Sequence, residues 1–241
     1  RLDDVSSLKS LLRPELDGPE NTLRNADDLT RIRAAAKARL ERQLSNTNLT
    51  PRKFRNLKAQ QQATTSRSIL RELSAYLPKS DEIIADQEVN AETNSSLQRQ
   101  IQLTVSAFDA GVASASDLFL QGFDTHNNHD TAHEPLLRHL NESIDLLWTL
   151  AEKANIADRL TVIIGSDFSR TPHYNEDSGK DHWAVGSVII MEKNPSWGNQ
   201  VIGSTDEMQN AHKFNPKTMQ RDDAKGTNIY PKHVHKALRR H

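Results

Sequence analysis

Apolar residues recur along the first part of the chain at the three-and-four spacing of amphipathic helices. Leu29, Ile32, Ala36, Leu40 and Leu44 trace one such face. Thr50-Pro51 is a start signal for a second helix, with Thr50 as N-cap and Pro51 at the first helical position. Phe54, Leu57, Ile69, Leu70, Leu73 and Leu77 lie along this second segment, although Gln60 to Ser68 is almost entirely polar. Leu97, Ile101, Val105, Phe108 and Val112 predict a third helix, and Gly111 stands where a stop is expected. From about residue 113 the pattern changes to strand, helix, strand. Asp117 to Phe123 reads as a short buried strand. Leu136, Leu137, Leu140, Ile144, Leu147 and Trp148 then mark one side of a helix, with Pro135 in its first turn. Leu160 to Ile164 and Val185 to Met191 are the next strands; the first is a β-branched run of the kind covered on both faces in parallel sheets. Beyond Glu192 the composition predicts mostly loop, closed by a short helix from Pro231 to Arg240. Strands alternating with helices predict βαβ units and a parallel sheet. The expected fold is α/β, with a mainly helical region 1–112 preceding an α/β region 113–241.

Composition narrows the class of function. The 241 residues carry 31 basic and 32 acidic side chains, so a general electrostatic grip on nucleic acid or anionic lipid is disfavoured. Four basic residues between Pro51 and Lys58 read as a solvated helix face. No cysteine is present, which excludes disulfides and thiolate metal sites. A mean hydropathy of -0.71 implies that several helix faces are solvated, and no apolar run approaches the length of a membrane span. The sequence starts at Arg1 without a methionine, as a processed or trimmed product would.

Candidate chemistry gathers in three clusters. Gly122-Phe123-Asp124-Thr125-His126 follows the first expected strand, and Ser166-Asp167-Phe168-Ser169-Arg170-Thr171 follows the second. Gly179-Lys180-Asp181-His182-Trp183 leads into the third. In open α/β sheets, ligands bind beyond the carboxyl ends of strands, and a divalent ion takes carboxylate oxygen and neutral imidazole from several directions. Asp124, His126, Asp167, Asp181 and His182 offer those atoms. A carboxylate after a strand commonly only caps the next helix, and an isolated arginine such as Arg170 commonly makes a surface ion pair. The concentration of these groups at successive strand ends is what favours a metal site. His126, His129 and His133 form an H-x2-H-x3-H array, of which His129 is expected in a solvated loop and His133, with His139, on a helix surface.

These words and their order resemble the DUF1501 family of bacterial proteins, whose members carry GFDTH, then a strand ending in S[DE]FGRT, then an Asn and G-x-DHGW. Here the series runs through Gly122–His126, Ser166–Thr171, Asn175 and Gly179–Trp183. The resemblance implies an alkaline-phosphatase-like parallel-sheet core, related to sulfatases, and export by the twin-arginine route to the periplasm or beyond. It implies a metal-dependent hydrolase of phosphate or sulfate esters, with a small anionic ester or a polysaccharide-type substrate. The alternative is a non-catalytic envelope protein that binds ligands on the same fold. Carried over, Asp124, His126 and His182 look like one metal set, and Asp167 like the carboxylate of a second. Arg170 is then available to an anionic substrate, with Asn175, Asp181 and Thr171 in support. The ion is divalent, with Zn, Mn and Ca equally compatible. Phe168 stands where the superfamily has a second-site histidine, and Ser169 where the family has glycine. No strand ending in an acidic or hydroxyl nucleophile is legible in residues 1–112, so the chain is expected to be the later part of a longer fold, lacking its first strands.

Overall fold

The computed structural model describes residues 26–79 and 81–239, with side chains at 26 and 67–71 outside the description. Helix α1 spans Ala26–Leu44 and α2 spans Pro51–Leu73. Strands β1 (Gln87–Asn90) and β2 (Thr93–Ser95) form a two-stranded sheet, followed by α3 (Leu97–Asp109) and α4 (His129–Lys153). Short strands β3 (Val162–Ile164), β4 (Ser169–Arg170), β5 (His182–Trp183) and β6 (Ile189–Met191) come next, and α5 (Pro231–Leu238) is the last described element. No described helix is long and apolar enough to cross a membrane.

The chain divides into two compact units. One takes the chain up to Glu88 together with Asn94–Leu120 and Glu142–Ile156; the other takes Val89–Thr93, Gln121–Asn141 and Ala157–His241.

In the first unit, the local helix signals operate as expected. Lys53 donates its amide to the Thr50 hydroxyl at 3.4 Å, and α2 opens at Pro51. Of the face expected on α1, Leu40 is buried and Leu29 and Leu44 are partly buried, but Ile32 is 63% exposed and Ala36 is exposed, so the stripe is covered only in part. Leu57, Leu73 and Leu77 are buried, while Ile69 and Leu70 lie outside the described side chains. Helix α3 buries Leu97, Ile101 and Val105. It ends in a Schellman turn: Val112 N–H donates to Ala107 C=O, Gly111 N–H donates to Phe108 C=O, and Gly111 takes φ 67°. Ala107 and Val112 then pack with Leu73 and Leu77, which supplies the hydrophobic contact such a turn usually carries.

The expected strand at Asp117 to Phe123 does not form. This stretch has no regular secondary structure and no neighbouring strand among the described residues, and Phe119 is 57% exposed. Its backbone is held by a side chain instead. Phe119 N–H donates to Gln100 Oε1 at 3.0 Å, and Gln100 Nε2 donates to Phe119 C=O at 3.1 Å.

The expected parallel sheet is also absent from the described residues. β3 pairs with β6 antiparallel, Ile163 opposite Ile190, and β4 pairs antiparallel with β5. The physical reason lies in the connection. Parallel neighbours need a crossover, usually a helix, and residues 165–188 contain only the β4 and β5 pair within loops. Ile163 and Ile189 are about half exposed rather than covered on both faces. The described architecture is therefore mixed α and β with small antiparallel sheets.

Helix α4 starts earlier than its pattern suggests. His129 N–H donates to Ser178 C=O at 2.9 Å and Asn128 N–H to Asp177 C=O at 3.1 Å, so a distant loop fixes its first turn. Pro135 consequently lies inside the helix, where it removes one i→i−4 bond. The buried stripe runs through Leu136, His139, Ser143, Leu147 and Ala151. His139, expected at the surface, is 5% exposed, because it continues the apolar stripe by helical spacing.

Candidate metal centre

The site lies in the second unit, where two loops cross at backbone distance. Lys180 N–H donates to Thr125 C=O at 3.0 Å, and Asn175 Nδ2 donates to His126 C=O at 2.9 Å. The crossing needs glycine at 179. A Cβ there would meet His126 O at 1.8 Å, far inside any contact distance. Asn175 organises its own loop as well: Oδ1 accepts from Asp177 and Gly179 N–H groups, and Nδ2 also reaches Asp181 Oδ1 at 3.2 Å. Thr171, buried, accepts the Asp181 amide on its hydroxyl and donates to His173 C=O. Asn175 thus ties the two loops together, while Thr171 and Asp181 brace the second loop internally.

Alternation along Asp124-Thr125-His126 sends the middle residue inward. Thr125 is 3% exposed and its hydroxyl meets His129 Nδ1 at 2.6 Å, while Asp124 and His126 face out. The β4–β5 register sets Arg170 opposite His182. One carboxylate oxygen and two imidazole nitrogens, from Asp124, His126 and His182, come within 4.8 Å of one another. Asp124 Oδ1 lies 2.8 Å from His126 Nδ1 and 4.0 Å from His182 Nε2. A set of one carboxylate and two histidines, exposed on one side, fits a divalent ion with open coordination positions.

Arg170 stands beside this group with its side chain only 11% exposed. Nη2 donates to Asp124 Oδ1 at 2.7 Å and Nη1 to Lys180 C=O at 3.2 Å. The first of these bonds holds the Asp124 carboxyl below the usual carboxylate range; neighbouring His126 and His182 act in the same direction, against an opposing effect of burial. The Phe168 ring lies against His182, tilted by 36° with ring centroids 4.1 Å apart, and sits 5.5 Å from the Arg170 guanidinium. A polar cavity of about 270 Å³ opens beside Asp124, lined by Asn90, Glu92, Thr93, Gln121 and Asn127.

Asp167 does not join the group. Its Oδ1 accepts from its neighbour Phe168 N–H at 3.2 Å and lies 3.4 Å from Ser166 Oγ, a local turn that directs the carboxylate back on its own chain. The histidines of the H-x2-H-x3-H array divide. His126 enters the site, whereas His129 and His133 stack on each other at 4.4 Å in the first turns of α4. Both are partly buried rather than solvated, and burial lowers both their pKa values, that of His133 to about 4. His133 Nδ1 is buried without a hydrogen-bond partner among the described residues. The stacking of His129 on His133 follows from their i,i+4 spacing, whereas the contact of Phe168 with His182 depends on the pairing of β4 with β5.

Comparison with known proteins agrees with the motifs on which this site is built. The family described as "Protein of unknown function (DUF1501)" matches residues 14–226, and the chain belongs to it. No curated protein and no solved structure matches the chain.

Proposed function

We propose that the protein is a metal-dependent hydrolase of phosphate or sulfate esters. The observation that carries this reading is the convergence of Asp124, His126 and His182 beside the guanidinium of Arg170. Asp124, His126 and His182 would hold the ion, and their two imidazoles favour Zn²⁺ or Mn²⁺ over Ca²⁺. When bound, it supplies Lewis-acid polarisation to an ester oxygen. Arg170 binds the anionic head of the substrate through N–H groups not engaged by Asp124 and Lys180. Phe168 covers part of the His182 ring. The polar cavity beside Asp124 takes the body of a small ester or a sugar-like group.

The wider placement, an alkaline-phosphatase-like fold exported from the cytoplasm, belongs to the same proposal and rests on the motif resemblance. A ligand-binding protein without turnover is the second reading. It is favoured by Phe168, an apolar ring lying against one of the metal-binding histidines. Elemental analysis of purified protein, with turnover of aryl phosphate and aryl sulfate, separates the two. The hydrolase reading expects bound Zn or Mn and at least a hundredfold loss of turnover in Asp124→Ala, about the effect of removing a principal electrostatic stabiliser. Bound metal without turnover supports the binding reading. Wild type without metal, and equal turnover in Asp124→Ala, sinks the metal centre itself.

A further inference from the structure

Arg170 occupies a position that sets the order of events at this site, and we infer that it makes tight metal binding conditional on an oxyanion. The inference rests on reading Asp124, His126 and His182 as metal ligands. The oxygen expected to ligate is already engaged: Asp124 Oδ1 accepts from Arg170 Nη2 at 2.7 Å and lies 2.8 Å from His126 Nδ1. Arg170 is the resident cation of the site.

It is also held in place. Lys180 C=O accepts from Nη1 at 3.2 Å, the Phe168 ring flanks the guanidinium, and both ring nitrogens of His126 lie 3.5 Å from Nη1. Pairing of β4 with β5 fixes the backbone of Arg170 opposite that of His182. An ion arriving at Asp124 therefore meets a guanidinium that is anchored away from solvent.

Glu92 lines the cavity beside Asp124, yet among the described residues no second carboxylate lies at ion-pair distance of the guanidinium. Asp130 accepts from the Tyr174 hydroxyl, Asp167 turns back on Phe168, and Asp181 reaches Asn175. A divalent ion and a guanidinium then face a single carboxylate, which leaves two positive charges in excess. A divalent oxyanion balances that excess. Guanidinium has five N–H donors; Asp124, Lys180 and the His126 ring engage three, so two remain for it. Metal alone is repelled by Arg170, while metal and oxyanion together are favoured. Linkage requires the effect to be reciprocal.

Isothermal calorimetry tests this with Zn²⁺ titrated into the full chain, in chloride and in inorganic sulfate at matched ionic strength. Sulfate should tighten Zn²⁺ binding about tenfold, within the usual range of coupling between sites. Zn²⁺ should tighten sulfate binding by the same factor. Arg170→Gln, which keeps a donor near Asp124 but removes the charge, should bind Zn²⁺ more tightly than wild type in chloride and lose the sulfate effect. Equal Zn²⁺ affinity of wild type in chloride and sulfate overturns the inference, and that measurement needs no variant to fold. Weaker Zn²⁺ binding by a folded Arg170→Gln overturns it too. Zn²⁺ binding that Asp124→Ala abolishes but sulfate does not alter leaves the metal centre standing and removes only the coupling. No Zn²⁺ binding at all removes both.

Discussion

Individual side chains decide whether the two loops of the site can cross. Gly179 is the tightest point, since any Cβ would overlap the His126 carbonyl. Gly179→Ala should destabilise the protein by about 1–3 kcal/mol, the usual cost of forcing extra volume into close packing. It should also weaken Zn²⁺ binding at least tenfold, because His126 and the segment carrying His182 are displaced together. Urea unfolding and calorimetry check the two effects; wild-type Zn²⁺ affinity in the variant would contradict the role given to the crossing. His133 makes a pH prediction. Its folded pKa is about 4, lowered chiefly by burial, against an ordinary value of 6.5. Above pH 6.5 the ring is neutral folded or unfolded. Between 6.5 and 4 the unfolded chain takes up a proton that the folded chain refuses, so stability falls as pH falls through that window. The slope is at most about 1.4 kcal/mol per pH unit, and smaller for a half-exposed ring. His133→Phe, whose ring can keep the edge contact with Phe123, should flatten this slope in urea midpoints measured from about pH 7 to pH 4. His129, shifted in the same direction, accounts for what slope remains.

Elements formed where a signal was local and failed to form where it needed a distant partner. Thr50-Pro51 opened α2 and Gly111 ended α3, because caps and stops act within one turn of chain. The stretch Asp117 to Phe123 has strand-like residues, yet a strand exists only against a neighbour, and here Gln100 is the neighbour. Gln100→Leu should release Phe119 at a cost of about 0.5–1.5 kcal/mol, as expected for ordinary exchangeable hydrogen bonds. Amide exchange at Phe119 should quicken several-fold while exchange inside α3 stays slow. Unchanged exchange at Phe119 would mean the pairing adds nothing to the order of that segment. The candidate site was legible in the same unequal way. Asp124, His126 and His182 stand in motifs whose spacing survives folding, and the structure brings them together. Asp167 stands in an equally suggestive motif, but a hydrogen bond to the next residue turns it aside. The start of α4 is invisible to local pattern because Ser178, remote in sequence, supplies the acceptor for its first amide.

At the scale of the molecule, the chain passes repeatedly between its two compact units, and one passage lies inside α4, between Asn141 and Glu142. A helix propagates cooperatively once nucleated, so neither unit can melt its share of α4 without fraying the other's. Scanning calorimetry should show one transition, with calorimetric and van't Hoff enthalpies in agreement. Zn²⁺ at about a hundred times its dissociation constant should raise stability by about 2.7 kcal/mol across that single transition. Two transitions, of which Zn²⁺ moves one, would show that the units unfold separately. The loop crossing at Gly179 has a consequence for descent as well. Under the proposed function, Asp124 and His126 serve metal chemistry and would be free to drift once a lineage no longer needs the ion. Gly179 and Asn175 serve the crossing itself and are retained as long as the loops meet. Lineages that have abandoned the metal will therefore be marked by a surviving glycine and asparagine around substituted histidines.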